Sequence, residues 1–227
     1  MPKKTLRPMA REMNELATLV ADLREREVLE AVQRLLEAGA PPTEILQACQ
    51  KGMRLVGSMH EKGRYFIAGL IMAGEIMRQA MALVKPVMVR EKRGKTFGRV
   101  LLGTIQGDIH DIGKNLFRDL LEFHGFTVLD LGVDVPPAEF VMAEADFKPD
   151  LIAASALITE SFPHLRELVD LFNDAARRKS DRRPLILIGG GQVDERVFKM
   201  SGADRWGEDA FLGIQICTEL MKGRKKP

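Results

Sequence analysis

The sequence lacks most of the features that announce a function directly. It has two cysteines in 227 residues; Cys49 and Cys217 stand far apart and belong to no metal-ligand spacing, so neither a disulfide framework nor a zinc site is expected. A formal net charge of +2 is too small to argue for nucleic acid, and the basic tail of Lys222, Arg224, Lys225 and Lys226 reads as a frayed, solvated end. No apolar run approaches the ~18 residues of a membrane span, and the charged N-terminus has no apolar signal-peptide core. There is no internal repeat and no low-complexity segment. A cytoplasmic chain without nucleic-acid or membrane partners is therefore expected. What is present is ordinary for a globular protein, 45% hydrophobic and 29% charged, and long enough for one large domain or two small ones.

The first 90 residues carry only helical patterns. Met9 to Asp22 and Glu25 to Glu37 place apolar residues three and four apart (Leu16, Leu19, Val20, Leu23; Val28, Val32, Leu35, Leu36). Gly39, Pro41 and Pro42 end that pair, Thr43 is expected to cap a third helix, and Gly57 to Arg64 reads as a break. A fourth helix from about Ile67 to Val89 is apolar over most of its circumference, so it is buried or has one face on its bundle and another on something else. The pattern predicts a four-helix bundle over 1–90. Residues 91–98, charged and rich in turn formers, read as a linker. From 99 to 227 short apolar runs alternate with amphipathic helices: strands at 99–105, 126–131, 150–155, 184–189 and 203–206, helices at 112–124, 137–146, 161–178, 194–200 and 208–221. That alternation predicts an α/β domain with a five-stranded parallel sheet, helices on both faces, and the flavodoxin-like order 2-1-3-4-5.

The most informative stretch is Leu101 to Asn115, LLGTIQGDIHDIGKN. A buried strand breaks at Gly107 and a helix begins near Ile112, which leaves Asp108, His110 and Gly113 at the carboxyl end of a strand, where open α/β sheets bind ligands. A histidine there, with a carboxylate two residues earlier, can offer one ring nitrogen to a metal while the acid holds the other. Taken alone it reads equally as a solvated side chain. A phosphate-binding P-loop is excluded, because the glycines are separated by five residues instead of four and Asn115 follows Lys114.

Two more stretches fall at the same predicted sheet edge. Strand three ends in Ser155-Ala156-Leu157-Ile158-Thr159-Glu160-Ser161, whose hydroxyls suit either a ligand or the cap of the next helix. Strand four ends in Gly189-Gly190-Gly191, either a turn or a place where a ligand can approach the backbone.

With Asp108, His110 and Gly113, then Ser155 and Leu157, then Gly189 and Gly190 in order, the chain resembles the cobalamin-binding domains of corrinoid methyltransferase proteins. Gly202-Ala203-Asp204 looks like the family's closing stretch, with Trp206 where a smaller aromatic is common. Glu61-Lys62-Gly63-Arg64-Tyr65-Phe66 and Ala73-Gly74-Glu75 resemble the helical cap of methionine synthase and of corrinoid proteins from methylamine, methanol and methoxyl-group systems. His60 departs from that pattern by standing where an apolar residue is usual.

The resemblance implies a cobamide cofactor cycling between Co(I) and Co(III) and a role for each matching residue. His110 would be the cobalt's lower axial ligand, Asp108 would take a hydrogen bond from its other ring nitrogen, and Ser161 would extend that pair. The surrounding Gly107, Ile109, Asp111, Ile112 and Gly113 would border the cofactor. Ser155, Leu157 and Thr159, with Gly189, Gly190 and Gly191, would line the slot for its displaced nucleotide tail. Met72, Gly74 and Met77 would cover the upper face. The implied function is a corrinoid methyl carrier, one subunit of a methyltransferase system and not catalytically complete alone. Its partners would be a substrate-specific methyltransferase, an acceptor methyltransferase using tetrahydrofolate or a thiol, and a corrinoid-reactivating reductase. Alternatives are the cobalamin subunit of an adenosylcobalamin mutase, against which the helical cap counts, and a cobalamin-sensing regulator, for which the basic DNA-binding region is missing.

Overall fold

The computed structural model describes residues 6–90, 97–179 and 183–224, and the chain divides into two compact units, Met1–Glu91 and Lys92–Pro227. Most of the expected 91–98 linker, residues 91–96, lies outside the described residues, as does the tail beyond 224.

The first unit holds four helices, α1 (Leu6–Ala21), α2 (Glu25–Glu37), α3 (Pro42–Glu61) and α4 (Ile67–Arg90). Their apolar stripes meet in a core of Leu16, Val20, Val28, Val32, Ile45, Leu46, Val56, Ile76 and Val84. Helix α3 starts one residue before the expected cap: Pro42 occupies its first turn, where a fixed φ and a missing N–H cost nothing, and Thr43 is already helical. The break expected from Gly57 is delayed, because the helix runs on to Glu61 and turns at Gly63. Packing outweighs the ~1 kcal/mol cost of an interior glycine. His60 Nδ1 donates to the Tyr65 carbonyl at 2.8 Å and so closes this turn.

Helix α4 also corrects the expectation that no segment is long and apolar enough for a membrane: Ile67–Met88 is, by length and composition. Its buried residues Ala73, Ile76, Met77, Ala80, Val84 and Met88 and the hydrogen bond from Gln79 to Glu25 of α2 at 2.7 Å make it a core helix of the bundle.

The second unit is an α/β sandwich on a parallel sheet. Strands β1 (Arg99–Thr104), β2 (Thr127–Asp130), β3 (Leu151–Ser155), β4 (Leu185–Gly189) and β5 (Arg205–Gly207) run in the order β2-β1-β3-β4-β5, as the alternation predicts. Helices α5 (Ile112–Phe123) and α9 (Ala210–Arg224) pack together on one face; α6 (Pro137–Phe147), α7 (Phe162–Lys179) and α8 (Glu195–Ser201) cover the other. Leu101, Ile105, Ile152, Ala154, Ile186 and Ile188 form the core beneath α6–α8, with Phe140, Leu165 and Val169 above them. Strand β5 begins two residues later than expected. Asp204 is spent instead on a clasp, accepting two bonds from Arg183 at 2.6 and 3.0 Å and one from the Ile186 amide at 2.7 Å.

The register brings Thr104, Ser155, Gly189 and Gly207 into one row across β1, β3, β4 and β5. This is the carboxyl edge of the sheet. Because β1 feeds β2 on one side while β3 lies on the other, the loop after β1 opens at the topological switch point.

Candidate cobalamin site

Three loops meet at this edge: Ile105–Asp111 after β1, Ala156–Ile158 after β3 and Gly190–Asp194 after β4. Gly107 has φ +84°, a left-handed turn that a side chain would resist, and it reverses the first loop so that Asp108 points inward and His110 outward. The Asp108 side chain is fully buried while that of His110 is 54% exposed.

Four N–H groups converge on the Asp108 carboxylate. Oδ1 accepts from the His110 amide at 2.9 Å and from His110 Nδ1 at 2.7 Å; Oδ2 accepts from the amides of Leu157 and of Ile158, the latter at 3.3 Å. Burial is the largest single influence on this carboxyl and would raise its pKa, but the bonds from His110, Leu157 and Ile158 together outweigh it and hold the pKa below the usual aspartate value. An ionised carboxylate only accepts, so Nδ1 must carry the proton. In the neutral ring the lone pair then sits on Nε2, which has no protein partner among the described residues and faces out of the loop.

This donor set offers a metal one free imidazole nitrogen. No group of three or more His, Cys, Asp or Glu side chains that could hold an ion comes together here or elsewhere among the described residues, so a bare ion would find one protein nitrogen and little else. A metal already held by a macrocycle needs only that one axial nitrogen, and a carboxylate behind the imidazole is the usual way to fix and strengthen it.

The glycine-rich side of the edge fits a close approach. Gly190 has φ +140°, and a Cβ there would lie 1.8 Å from the Ala156 carbonyl oxygen; the β3 and β4 loops therefore touch backbone to backbone. Gly189 and Gly191 flank it beside Gly207 and Leu157, while the space around Gly113 is open. Ser155 closes β3 in the same row. Thr159 lies in a short 3₁₀ turn, Thr159–Ser161, and donates to Glu160 at 3.0 Å. Ile109, Asp111 and Ile112 border His110, with Ile109 74% exposed.

Ser161 is fully buried but is not bonded to Asp108. Its hydroxyl donates to the Ile158 carbonyl at 2.7 Å, so it holds the residue whose own N–H, in the preceding peptide group, is on Oδ2. Met72, Gly74 and Met77 belong to α4 of the other unit. Met72 is exposed, whereas Gly74 and Met77 are buried, which makes Met77 a core residue of the bundle and not a surface for a cofactor.

Several supporting residues escaped the sequence reading. Buried Thr104 donates to the His110 carbonyl at 3.1 Å. Asp134, between β2 and α6, accepts from the Gly107 amide at 2.7 Å and donates its own amide to the Asp108 carbonyl at 2.9 Å. Lys114, buried at the start of α5, bonds Asp130 of β2 and, at 2.9 Å, Asn115; Arg118 joins the same Asp130 at 3.2 Å, and Asn115 holds Asp111 at 2.9 Å. The proximity of Lys114 to the glycines was legible; its carboxylate partner, sixteen residues on, was not.

Two family models match the chain, both described as B12 binding domain, one over residues 98–215 and one over 12–85. The chain is 35% identical over 193 residues to trimethylamine corrinoid protein 1 of Methanosarcina acetivorans, covering 84% of this chain and 88% of that one. Among solved structures it is similar to the Methanosarcina barkeri monomethylamine corrinoid protein, with a TM-score of 0.82, 28% identity and coverage of 93% and 99%. It is also similar, with a TM-score of 0.51, 28% identity and coverage of 94% and 80%, to a chain of the methanol:cobalamin methyltransferase complex MtaBC from Methanosarcina barkeri. The buried carboxylate, its outward imidazole and the glycine-lined edge thus occur in a chain that belongs to the cobalamin-binding corrinoid proteins, with cobalamin or a related cobamide as its cofactor.

Proposed function

We propose that the chain is a methyl carrier, holding a methyl group on the cobalt of its cobamide between a substrate-specific methyltransferase that loads it and an acceptor methyltransferase, using tetrahydrofolate or a thiol, that unloads it. The observation that carries this reading is the single outward imidazole nitrogen of His110, backed by a buried, ionised carboxylate. In this reading His110 would hold the cobalt of the cofactor, Nε2 being the ring nitrogen left free by Asp108. Asp108 would orient the ring and make it a stronger donor. Ser161 is a positioning residue, holding the Ile158 backbone whose N–H is on Asp108. Ser155, Leu157, Thr159, Gly113 and Gly189–Gly191 border the slot for the nucleotide tail. The helical unit, 1–90, is the cap domain, joined by 91–98 to the cobalamin-binding domain, 99–227, and Met72 and Gly74 lie on its fourth helix, α4.

The chain works as a subunit and not as a complete enzyme, in the cytoplasm, with a corrinoid-reactivating reductase as a third partner. Similarity to a chain within a methanol:cobalamin methyltransferase complex supports a methyltransferase partner. The test is to load the chain with methylcobalamin, pass it through gel filtration, and follow a labelled methyl group. One corrinoid is expected to stay with each chain, and the label to reach tetrahydrofolate or a thiol only when an acceptor methyltransferase is added. Loss of the corrinoid on the column, or label that no acceptor enzyme can remove, would contradict the proposal.

A further inference from the structure

Three non-glycine residues among those described have left-handed backbones: Leu23, Asp134 and Lys148. Two have an ordinary cause. Lys148 is the residue that ends α6, its amide bonded back to Glu144, and Leu23 follows α1, where the Arg24 amide returns to Leu19 at 3.0 Å; helices commonly end in this way. Asp134, at φ +54°, ends no helix. It sits in the stretch that continues beside β1 after β2 has stopped. There Thr104 N–H bonds the Gly132 carbonyl, Val135 N–H the Thr104 carbonyl and Gln106 N–H the Val135 carbonyl, each at 2.9 Å.

The unusual backbone lets Asp134 face the metal-side loop with both of its polar ends. Its carboxylate accepts the Gly107 amide at 2.7 Å and its amide donates to the Asp108 carbonyl at 2.9 Å. These are the residues at which the loop turns and from which the buried carboxylate projects. A strained backbone persists only where its surroundings hold it, and it concentrates at functional sites. We infer that Asp134 is a positioning residue for cobamide ligation, clamping the Gly107–Asp108 turn so that the Asp108–His110 pair is set before the cofactor arrives. This rests on the site described above. Aspartate suits the position because its short side chain tolerates the left-handed region, and asparagine is its closest substitute.

The test uses the full chain without cofactor, as wild type, Asp134→Ala, Asp134→Gly and Asp134→Asn, each checked for an intact fold by circular dichroism. The His110 ring tautomer is read by long-range ¹H–¹⁵N correlation, and hydroxocobalamin affinity by quenching of Trp206, the only tryptophan. Wild type and Asp134→Asn are expected to hold the proton on Nδ1 and to bind alike. Ala and Gly are expected to lose that preference and bind about tenfold more weakly, the lower end of what such supporting bonds contribute at metal sites. Asp134→Gly keeps the left-handed backbone without the carboxylate, so wild-type behaviour in Gly alone would overturn the clamp, as would wild-type behaviour in both. If wild type itself shows no Nδ1–H preference and no quenching, the Asp108–His110 site fails and the inference falls with it.

Discussion

The two units of this chain bury their polar groups differently. Every buried polar or charged side chain among the described residues lies in the α/β unit: Thr104, Asp108, Lys114, Asp119, Ser161 and Ser201. The helical unit has an almost entirely apolar core instead, into which α3 turns the side-chain oxygen of Gln50, and it exposes a run of large apolar side chains where α4 begins, with Phe66 82%, Ile67 67% and Ile71 69% accessible. Large exposed apolar side chains in the α/β unit, such as Ile109, Met142 and Met200, are spaced along the chain. One unit therefore fixes the His110 imidazole with hydrogen bonds, and the other carries exposed apolar side chains.

The largest expected effect tests how tightly the α/β edge is built. Gly190→Ala combines a disfavoured backbone with a Cβ 1.8 Å from the Ala156 carbonyl oxygen, and is expected to destabilise that unit by about 4 kcal/mol in denaturant unfolding followed by Trp206. Ile76→Ala makes the matching change in the apolar core. It is expected to cost about 3 kcal/mol through the cavity it leaves, seen in the helical far-ultraviolet signal, while the Trp206 transition stays within about 0.5 kcal/mol of wild type. A Trp206 transition that moved with Ile76→Ala would erase the distinction between the units.

Asp108→Asn comes next, with cobamide affinity falling ~10–100-fold. Its pH dependence has a definite sign. The folded carboxyl has a depressed pKa, so its stabilising contribution is present above the unfolded value of about 3.9 and is lost as pH falls through the lower folded value. The stability gap between wild type and Asp108→Asn should be full at pH 7 and close below about pH 4; a gap that widened in acid would refute the assignment. The smallest effect is expected at the exposed face. Ile71→Ser should change the stability of the helical unit by less than about 0.5 kcal/mol, whereas a large loss in thermal unfolding would show that this face is packed in solution.

The comparison also explains what could be seen in the sequence. Helix α2 and all five strands follow from local periodicity, because their apolar side chains repeat with the element. Asp108, His110 and the glycines were visible as a spaced pattern at strand ends. The residues that support them were not, because their partners are distant in sequence: Asp108 with Leu157, Lys114 with Asp130, and Gly107 with Asp134. Ser161 is expected from the resemblance to extend the Asp108–His110 pair, whereas its hydroxyl bonds the Ile158 carbonyl, a contact made by a 3₁₀ turn that no periodicity announces. Met77 fell on a helix apolar nearly all round, where the pattern cannot separate the core face from the exposed one.

The most direct test of the account is the Co(II) EPR spectrum of the chain loaded with a cobamide whose lower base contains no ¹⁵N, prepared from protein labelled with ¹⁵N only at histidine. A ¹⁵N splitting from one protein nitrogen is predicted for wild type and its complete loss in His110→Ala, with the fold intact by circular dichroism. A splitting unchanged in His110→Ala, or absent from wild type, would contradict the claim that His110 is the axial ligand.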